Sequence, residues 1–139
     1  TMPTYETDAD RSNEQAVRSL LEKKHGLLLH KIKPIYGLDF AGFKDNKLTH
    51  FIEVKCRTFE KEKYETTVIN AHKVLAANRL IRTFERKAIL VVRWTDFTGW
   101  CPFEEVGLWD MGMGGRNDRN DPNDRDLMVY IPNVRFQPL

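Results

Sequence analysis

The sequence predicts an α/β domain with a mixed central sheet of about five strands flanked by helices. Three features point there: an amphipathic stretch near the start, three consecutive strand-like segments, and the apolar run Ala88-Ile89-Leu90-Val91-Val92 after a second amphipathic stretch. A length of 139 residues, with 41% hydrophobic and 30% charged side chains, fits one domain with a sizeable core, spanning 1–139. Fibrous, disordered and membrane-spanning classes are excluded on the same composition.

Residues 1–11 have no apolar periodicity and are expected to be a mobile arm. Ser12 is the expected N-cap, with Gln15 completing a capping box and Val17, Leu20 and Leu21 forming the stripe of a helix from about Asn13 to His25. Gly26 suits its end. Leu27–Lys33, Ile35–Phe43 and Leu48–Cys56 are strand-like, separated by Pro34 and by the Lys44-Asp45-Asn46-Lys47 turn, and predict a β-meander. Thr66–Ile69 is a short strand. In Ala71–Arg86 the residues Val74, Ala77, Leu80, Ile81 and Phe84 recur at helical spacing. Ala88–Val92 reads as a central strand covered on both faces, reaching toward Trp94, and Thr98–Phe103 as the strand after it. The segment 110–126 is Gly-rich, then Asn- and Asp-rich, and is expected to be a polar flexible loop; Leu127–Ile131 is the last strand. Counting an EF-hand loop from Asp118 puts Asn123 and Val129 where Gly and Glu are needed, so the loop is read as solvated rather than calcium-binding.

Lys and Arg number 22 against 20 Asp and Glu, a net charge of +2 that does not by itself mark a nucleic-acid binder. Cys56 and Cys101 form no zinc-type spacing and read as reduced thiols. His25, His30, His50 and His72 are scattered, without paired metal-ligand spacing, and Gly112, Gly114 and Gly115 precede no helix that could cradle phosphate. No apolar run reaches the ~20 residues of a membrane span, and the polar, acidic start is unlike a targeting peptide, so a cytoplasmic protein without membrane contact is expected.

The chemistry concentrates in Asp39 and in Glu53-Val54-Lys55. Side chains alternate along a strand, so Glu53 and Lys55 share one face while Ile52, Val54 and Cys56 share the other. In the preceding segment Asp39 is flanked by small Gly37 and Ala41 on its own face. Pairing the two strands with apolar faces aligned brings Asp39 to Glu53, with Lys55 one step away. Two carboxylates and the Val54 carbonyl make a hard-oxygen set suited to Mg²⁺, with Mn²⁺ as a substitute. Such an ion would orient an attacking water and neutralise phosphate charge, with Lys55 steadying the water or the developing negative charge. Glu-x-Lys occurs three times, but the copies at Glu22 and Glu85 belong to helices as ordinary surface charge; only Glu53-Val54-Lys55 lies in an apolar strand. The bland alternative for that copy is the solvent face of an amphipathic strand. Asp39 has less of an alternative, since Asp is disfavoured in strands.

Gly37-Leu38-Asp39 followed by Phe51-Ile52-Glu53-Val54-Lys55, in a helix, three-strand, helix, strand order over about Ser12–Trp94, resembles the PD-(D/E)XK nuclease superfamily, small phage-type members included. Leu38 departs from the motif's Pro. The resemblance implies a restriction-endonuclease-like fold and a metal-dependent DNA endonuclease in which Asp39 and Glu53 hold Mg²⁺ and Lys55 assists the water; a phage origin would place it in the host cytoplasm. Many members add a glutamate from the first helix that reaches the metal site, which by resemblance would make Glu14 or Glu22 a further metal ligand and catalytic residue. Glu14, beside Val17 and Leu21, is the better candidate than Glu22, though an acidic residue there also suits the helix dipole. The segment Tyr64–Lys73 resembles the region where members place a further polar or basic residue, so Lys73 is either a phosphate-binding catalytic group or a plain surface lysine. Lys31, Lys33, Lys44, Lys47, Arg57, Lys61 and Lys63 are candidate DNA contacts. Trp94 is expected in the core, whereas Trp100 and Trp109 are candidates for either core or base stacking. A homodimer would let a small nuclease cut both strands of a duplex. A Holliday-junction-type resolvase and a non-catalytic nucleic-acid-binding module are the alternatives on the same fold.

Overall fold

Helix α1 runs from Asp8 to His25, with Lys23, Lys24 and His25 in its last turn and Gly26 just beyond at φ +65°. Basic residues in the last turn favour the helix dipole. The helix therefore begins more than a turn before the expected Asn13, and Ser12 lies inside it rather than capping it; residues 8–11 are helical rather than a mobile arm. The computed structural model describes residues 8–108, 110–115 and 125–139, so the remainder of the expected arm, Trp109 and 116–124 lie outside the described residues.

Strands β1 (Leu28–Lys31), β2 (Phe40–Lys44) and β3 (Lys47–Cys56) form the expected antiparallel meander. Asp45 and Asn46, at φ 51° and 62°, make the two-residue turn between β2 and β3, a left-handed pair that Asp and Asn tolerate better than most residues. Ile35–Leu38 is not strand. Pro34–Tyr36 is a 3-10 turn, and Gly37 follows at φ 87°, ψ −14°. Proline fixes the turn and removes a ladder donor, so β2 starts only at Phe40. Leu38 and Phe40 consequently enter different cores.

From β3 the chain passes through β4 (Thr66–Asn70) into α2 (Ala71–Phe84), where the Asn70 side chain caps the helix by accepting from the His72 N–H at 2.8 Å. It returns as β5 (Lys87–Arg93), parallel to β3, and continues to β6 (Thr98–Pro102). With β9 (Gln137–Pro138) the main sheet has six strands in the order β1-β2-β3-β5-β6-β9. On one face Val17 and Leu21 of α1 pack with Leu29, Phe40, Ile52 and Val91; on the other, Val74, Ala77 and Leu80 of α2 pack with Phe51, Leu90 and Val92. Residues 88–92 are apolar without alternation because both faces of β5 are covered. Trp94 is in the core as expected, and Cys101 is buried in the same core.

The expected loop over 110–126 is strand at both ends. Strands β7 (Asp110–Gly115) and β8 (Arg125–Pro132) pair antiparallel, and β8 also pairs β4, giving a second sheet ordered β4-β8-β7. Glycine and methionine in 110–115 carry little strand propensity, and the pairing is set by β8, whose alternating Leu127, Val129 and Ile131 have the period of a strand. Among the described residues no helix is long and apolar enough to cross a membrane.

Helix α2 ends in Glu85, a non-glycine residue in the left-handed region at φ 53°, ψ 43°. Replacement by glycine removes that strain. Glu85→Gly is expected to stabilise the fold by up to about 1 kcal/mol, read as a melting temperature higher by roughly 4 °C.

Candidate metal and phosphate site

The site lies where β2 separates from β3. The Asp39 N–H donates to Ile52 O at 3.1 Å and its carbonyl accepts from the Ile32 N–H at 3.0 Å, so the backbone of Asp39 is clamped between two strands although the residue just precedes β2. With no further β2 residue opposite Val54, the Val54 N–H is satisfied instead by Asp39 Oδ2, at 2.9 Å. This bond fixes the carboxylate over β3. Backbone groups of one residue point to the same side of a strand, so the Val54 carbonyl faces the Asp39 side as well.

Glu53 is in the middle of β3, between β2 and β5, and is 2% exposed. The solvent-face alternative therefore does not hold, because the face that carries Glu53 is covered by α2. Two lysines approach one oxygen of its carboxylate: Lys73 Nζ lies 3.2 Å and Lys55 Nζ 3.7 Å from Oε2. The other oxygen, Oε1, is buried and has no hydrogen-bond partner among the described residues. Burial, with the negative charge of Asp39 adding to it, pushes the Glu53 carboxyl up to about 7 against the opposing pull of Lys73 and Lys55.

Lys73 is in the first turn of α2, where a cation opposes the helix dipole. Its position is held from outside the helix: Nζ donates to Gly37 O at 2.9 Å as well as pairing with Glu53. Glu14 is placed differently. Its carboxylate pairs with Lys31 Nζ, which lies 3.6 Å from Asp39 Oδ1, so Glu14 joins the site through a lysine. Glu22 is occupied elsewhere, accepting from the Leu29 N–H at 3.2 Å.

The structure thus brings Asp39, Glu53, Val54, Lys55 and Lys73 together, with Glu14 one ion pair away. Among the described residues no group of three or more His, Cys, Asp or Glu side chains forms a ready-made metal cage. The donors present, two carboxylates and a main-chain carbonyl, fit a hard divalent cation that keeps waters of its own, and the unpartnered Glu53 Oε1 is an oxygen that such an ion would satisfy.

Lys31 was expected only as a DNA contact, and the structure makes it the bridge between Glu14 and Asp39. The ladder of β1 on β2 carries that signal, since Lys31 pairs with Phe40, next to Asp39. Gly37 anchors Lys73 and packs on Ala76 of α2. Of the other basic residues, Lys33 borders the turn before Asp39, and Lys61 and Lys63 form the 3-10 turn after β3. Lys44 and Lys47 are at the hairpin end of β3, roughly 20 Å of strand from Glu53 at about 3.3 Å per residue.

A mixed sheet flanked by helices, with Asp39 at the edge of one strand and Glu53-x-Lys55 in its neighbour, defines a nuclease of the PD-(D/E)XK class with the restriction-endonuclease-like fold. More narrowly, the chain belongs to the family described as "Phage putative PDDEXK endonuclease", whose model matches residues 1–139. Its structure is similar to that of Hjc, a Holliday junction resolvase from the archaeal hyperthermophile Archaeoglobus fulgidus, with a TM-score of 0.60 and 13% identity over 92% of each chain. At that identity the likeness establishes the fold. No curated protein matches the sequence.

Proposed function

We propose that the chain is a Mg²⁺-dependent DNA endonuclease, with Asp39, Glu53 and the Val54 carbonyl as metal ligands and Lys55 and Lys73 as the cations of the reaction. The observation that carries this is Glu53, a buried carboxylate with two lysines on one oxygen and, among the described residues, no partner on the other, beside a second fixed carboxylate. A purely structural role would leave the second oxygen of this carboxylate unsatisfied, because a buried polar atom without a hydrogen-bond partner costs stability. When bound, the divalent ion supplies a lower pKa for the attacking water and neutralises charge on the scissile phosphate.

The chain's own groups do the rest. Asp39 is oriented by the Val54 N–H and Glu53 by Lys73. Lys55, on the same face as Glu53 and partly exposed, holds the attacking water or meets the negative charge that develops on phosphate. Lys73 adds its charge to the positive end of α2, favouring a phosphate there. Glu14 acts through Lys31, fixing Asp39. We further propose that the active unit is a homodimer, one copy for each strand of a duplex, working in the cytoplasm of a phage-infected host. Full activity at a concentration where the mass is monomeric would overturn the dimer.

The test is cleavage of supercoiled plasmid and of labelled single-stranded DNA in Mg²⁺, Mn²⁺ or EDTA. Cutting is expected to require the metal, to vanish in Glu53→Ala, and to fall by about 10²–10³-fold in Lys55→Met. Cutting that survives EDTA or both substitutions would sink the assignment. A second reading, favoured by the structural likeness to the archaeal Holliday junction resolvase, is selectivity for branched DNA. Four-way junctions cut well ahead of linear duplex would establish it. Binding that survives chelation, with no cutting of any of these substrates, would instead leave a non-catalytic binding module.

A further inference from the structure

On the same face of β3, two residues beyond Lys55, Arg57 enters a cavity of about 360 Å³ between the end of the main sheet and the β4-β8 pair, lined also by Phe59, Tyr64, Thr66, Trp94 and Tyr130. That volume lies at the small end of the range of ligand sites, about 300–1,000 Å³. The Arg57 N–H is tied to Arg93 O at 2.7 Å, continuing the β3-β5 pairing, so the position of Arg57 beside Trp94 is fixed by the sheet. Its guanidinium donates only to main-chain carbonyls, Nη2 to Val68 O at 3.1 Å and Nη1 to Cys56 O at 3.5 Å, and among the described residues pairs with no carboxylate. A half-buried guanidinium with no carboxylate partner among the described residues, walled by aromatic rings, matches the planar, electron-rich edge of a nucleobase: donors for ring nitrogen and carbonyl oxygen, rings for stacking.

At the rim one lysine, Lys63, sits against the aromatic pair, in a segment that also carries exposed Glu60, Glu62 and Glu65. Phe59 and Tyr64 meet edge to face at 5.1 Å, with Lys63 Nζ 5.4 Å and 5.7 Å from their ring centroids. Tyr64 is 54% exposed, an aromatic residue at the mouth rather than in the core. The Lys61–Lys63 turn and Tyr64 are also held in place: buried Asn133 donates to Lys61 O at 3.0 Å and to Tyr64 O at 2.8 Å. Two residues of strand separate Arg57 from Lys55, roughly 7 Å. That spacing is of the order of one nucleotide of an extended strand.

We propose that this cavity receives one unstacked base of the nucleic-acid substrate, from the nucleotide next to the scissile phosphate, with Arg57 reading its edge and Tyr64 closing over its face. The proposal rests on the nuclease assignment and adds to it how the cut strand is held: the substrate must present, or be able to yield, an unpaired base beside the cut.

The test moves an abasic site through every position around the cut in a labelled oligonucleotide. Wild-type protein is expected to lose roughly tenfold in kcat/KM at a single position, the one adjoining the cut. Tyr64→Ala, a change at an exposed residue, and Arg57→Gln are each expected to lose a similar factor on the intact strand and almost nothing more on that abasic strand. A 2-aminopurine at the sensitive position should change its emission on binding uncleaving Glu53→Gln more than any other position does, and that change should be lost with Tyr64→Ala/Glu53→Gln. Metal-dependent, Glu53-dependent cutting that is indifferent to abasic sites at every position would overturn the base pocket and leave the nuclease standing. Absence of metal-dependent cutting altogether would remove the nuclease assignment, and the pocket with it.

Discussion

Glu53→Gln is expected to raise the melting temperature of the metal-free protein at pH 8 while abolishing cleavage. Glutamine keeps the shape of the side chain but carries no charge to desolvate and none to repel Asp39. The Glu53 carboxyl titrates at about 7 in the fold against an ordinary 4.5, so the folded state holds its proton more tightly than the unfolded chain. In the metal-free protein the Glu53 contribution to stability is therefore most favourable below about 4.5 and becomes less so as the pH rises toward about 7, with the full penalty present above that. A gap of this size corresponds to about 3 kcal/mol at about 1.4 kcal/mol per pH unit, with the attraction of Lys55 and Lys73 already included. Wild type and Glu53→Gln should differ by about that much in urea unfolding at pH 8 in EDTA, and by less than about 1 kcal/mol at pH 5. Adding Mg²⁺ at pH 8 should stabilise wild type and leave the variant unmoved if, as proposed, the ion binds the folded state through the carboxylate. A variant less stable than wild type by the same amount at both pH values would show that Glu53 is held for structural reasons. The expected pattern is a functional group kept at a cost to the fold.

Features with local causes were legible in the sequence: the stripe in α1, the Asp45-Asn46 turn, the doubly covered β5 and the Glu53-x-Lys55 spacing. Asp39 and Glu53 were legible as a pair because strand periodicity and apolar alignment fix which side chains meet. What was not legible depends on pairing between segments distant in sequence. The second sheet needs β8 to pair both β4 and β7, and nothing in the composition of 110–115 announces that. Pro34 signalled a break, but not that Gly37 would turn the chain left-handed and send Leu38 and Phe40 into opposite cores. Lys73 and Lys31 each had an ordinary surface reading, and only the packing of α2 on β3 and of β1 on β2 brings their charges to Glu53 and Asp39. Arg57 followed the same period-2 face as Glu53 and Lys55, yet its cavity exists only because the second sheet closes over the end of the first.

Gly37→Ala is expected to destabilise the protein by about 2–5 kcal/mol and to lower cleavage even where the variant remains folded. Two causes combine. At φ 87° an L side chain is strained, by roughly 1–2 kcal/mol. A Cβ at this position would also overlap the Ala76 Cβ on α2, where neither partner is a flexible chain end, and overpacking typically costs roughly 1–3 kcal/mol. Relief requires α2 and the 34–38 turn to move apart, and both ends of that contact serve the site. Lys73 on α2 is held by Gly37 O, and Asp39, two residues on, depends on the same turn to reach the Val54 N–H. Ala76→Gly separates the causes. Alone it should cost about 1 kcal/mol as a glycine within a helix. Combined with Gly37→Ala it removes the overlap and leaves the backbone strain, so the double variant should be less destabilised than the sum of the two by about 1–3 kcal/mol, and should recover cleavage relative to Gly37→Ala. Strict additivity in both stability and rate would mean that the Gly37–Ala76 contact does not position Lys73 and Asp39. Coupling in both would show that the close approach of α2 to one glycine sets the geometry of the charged cluster.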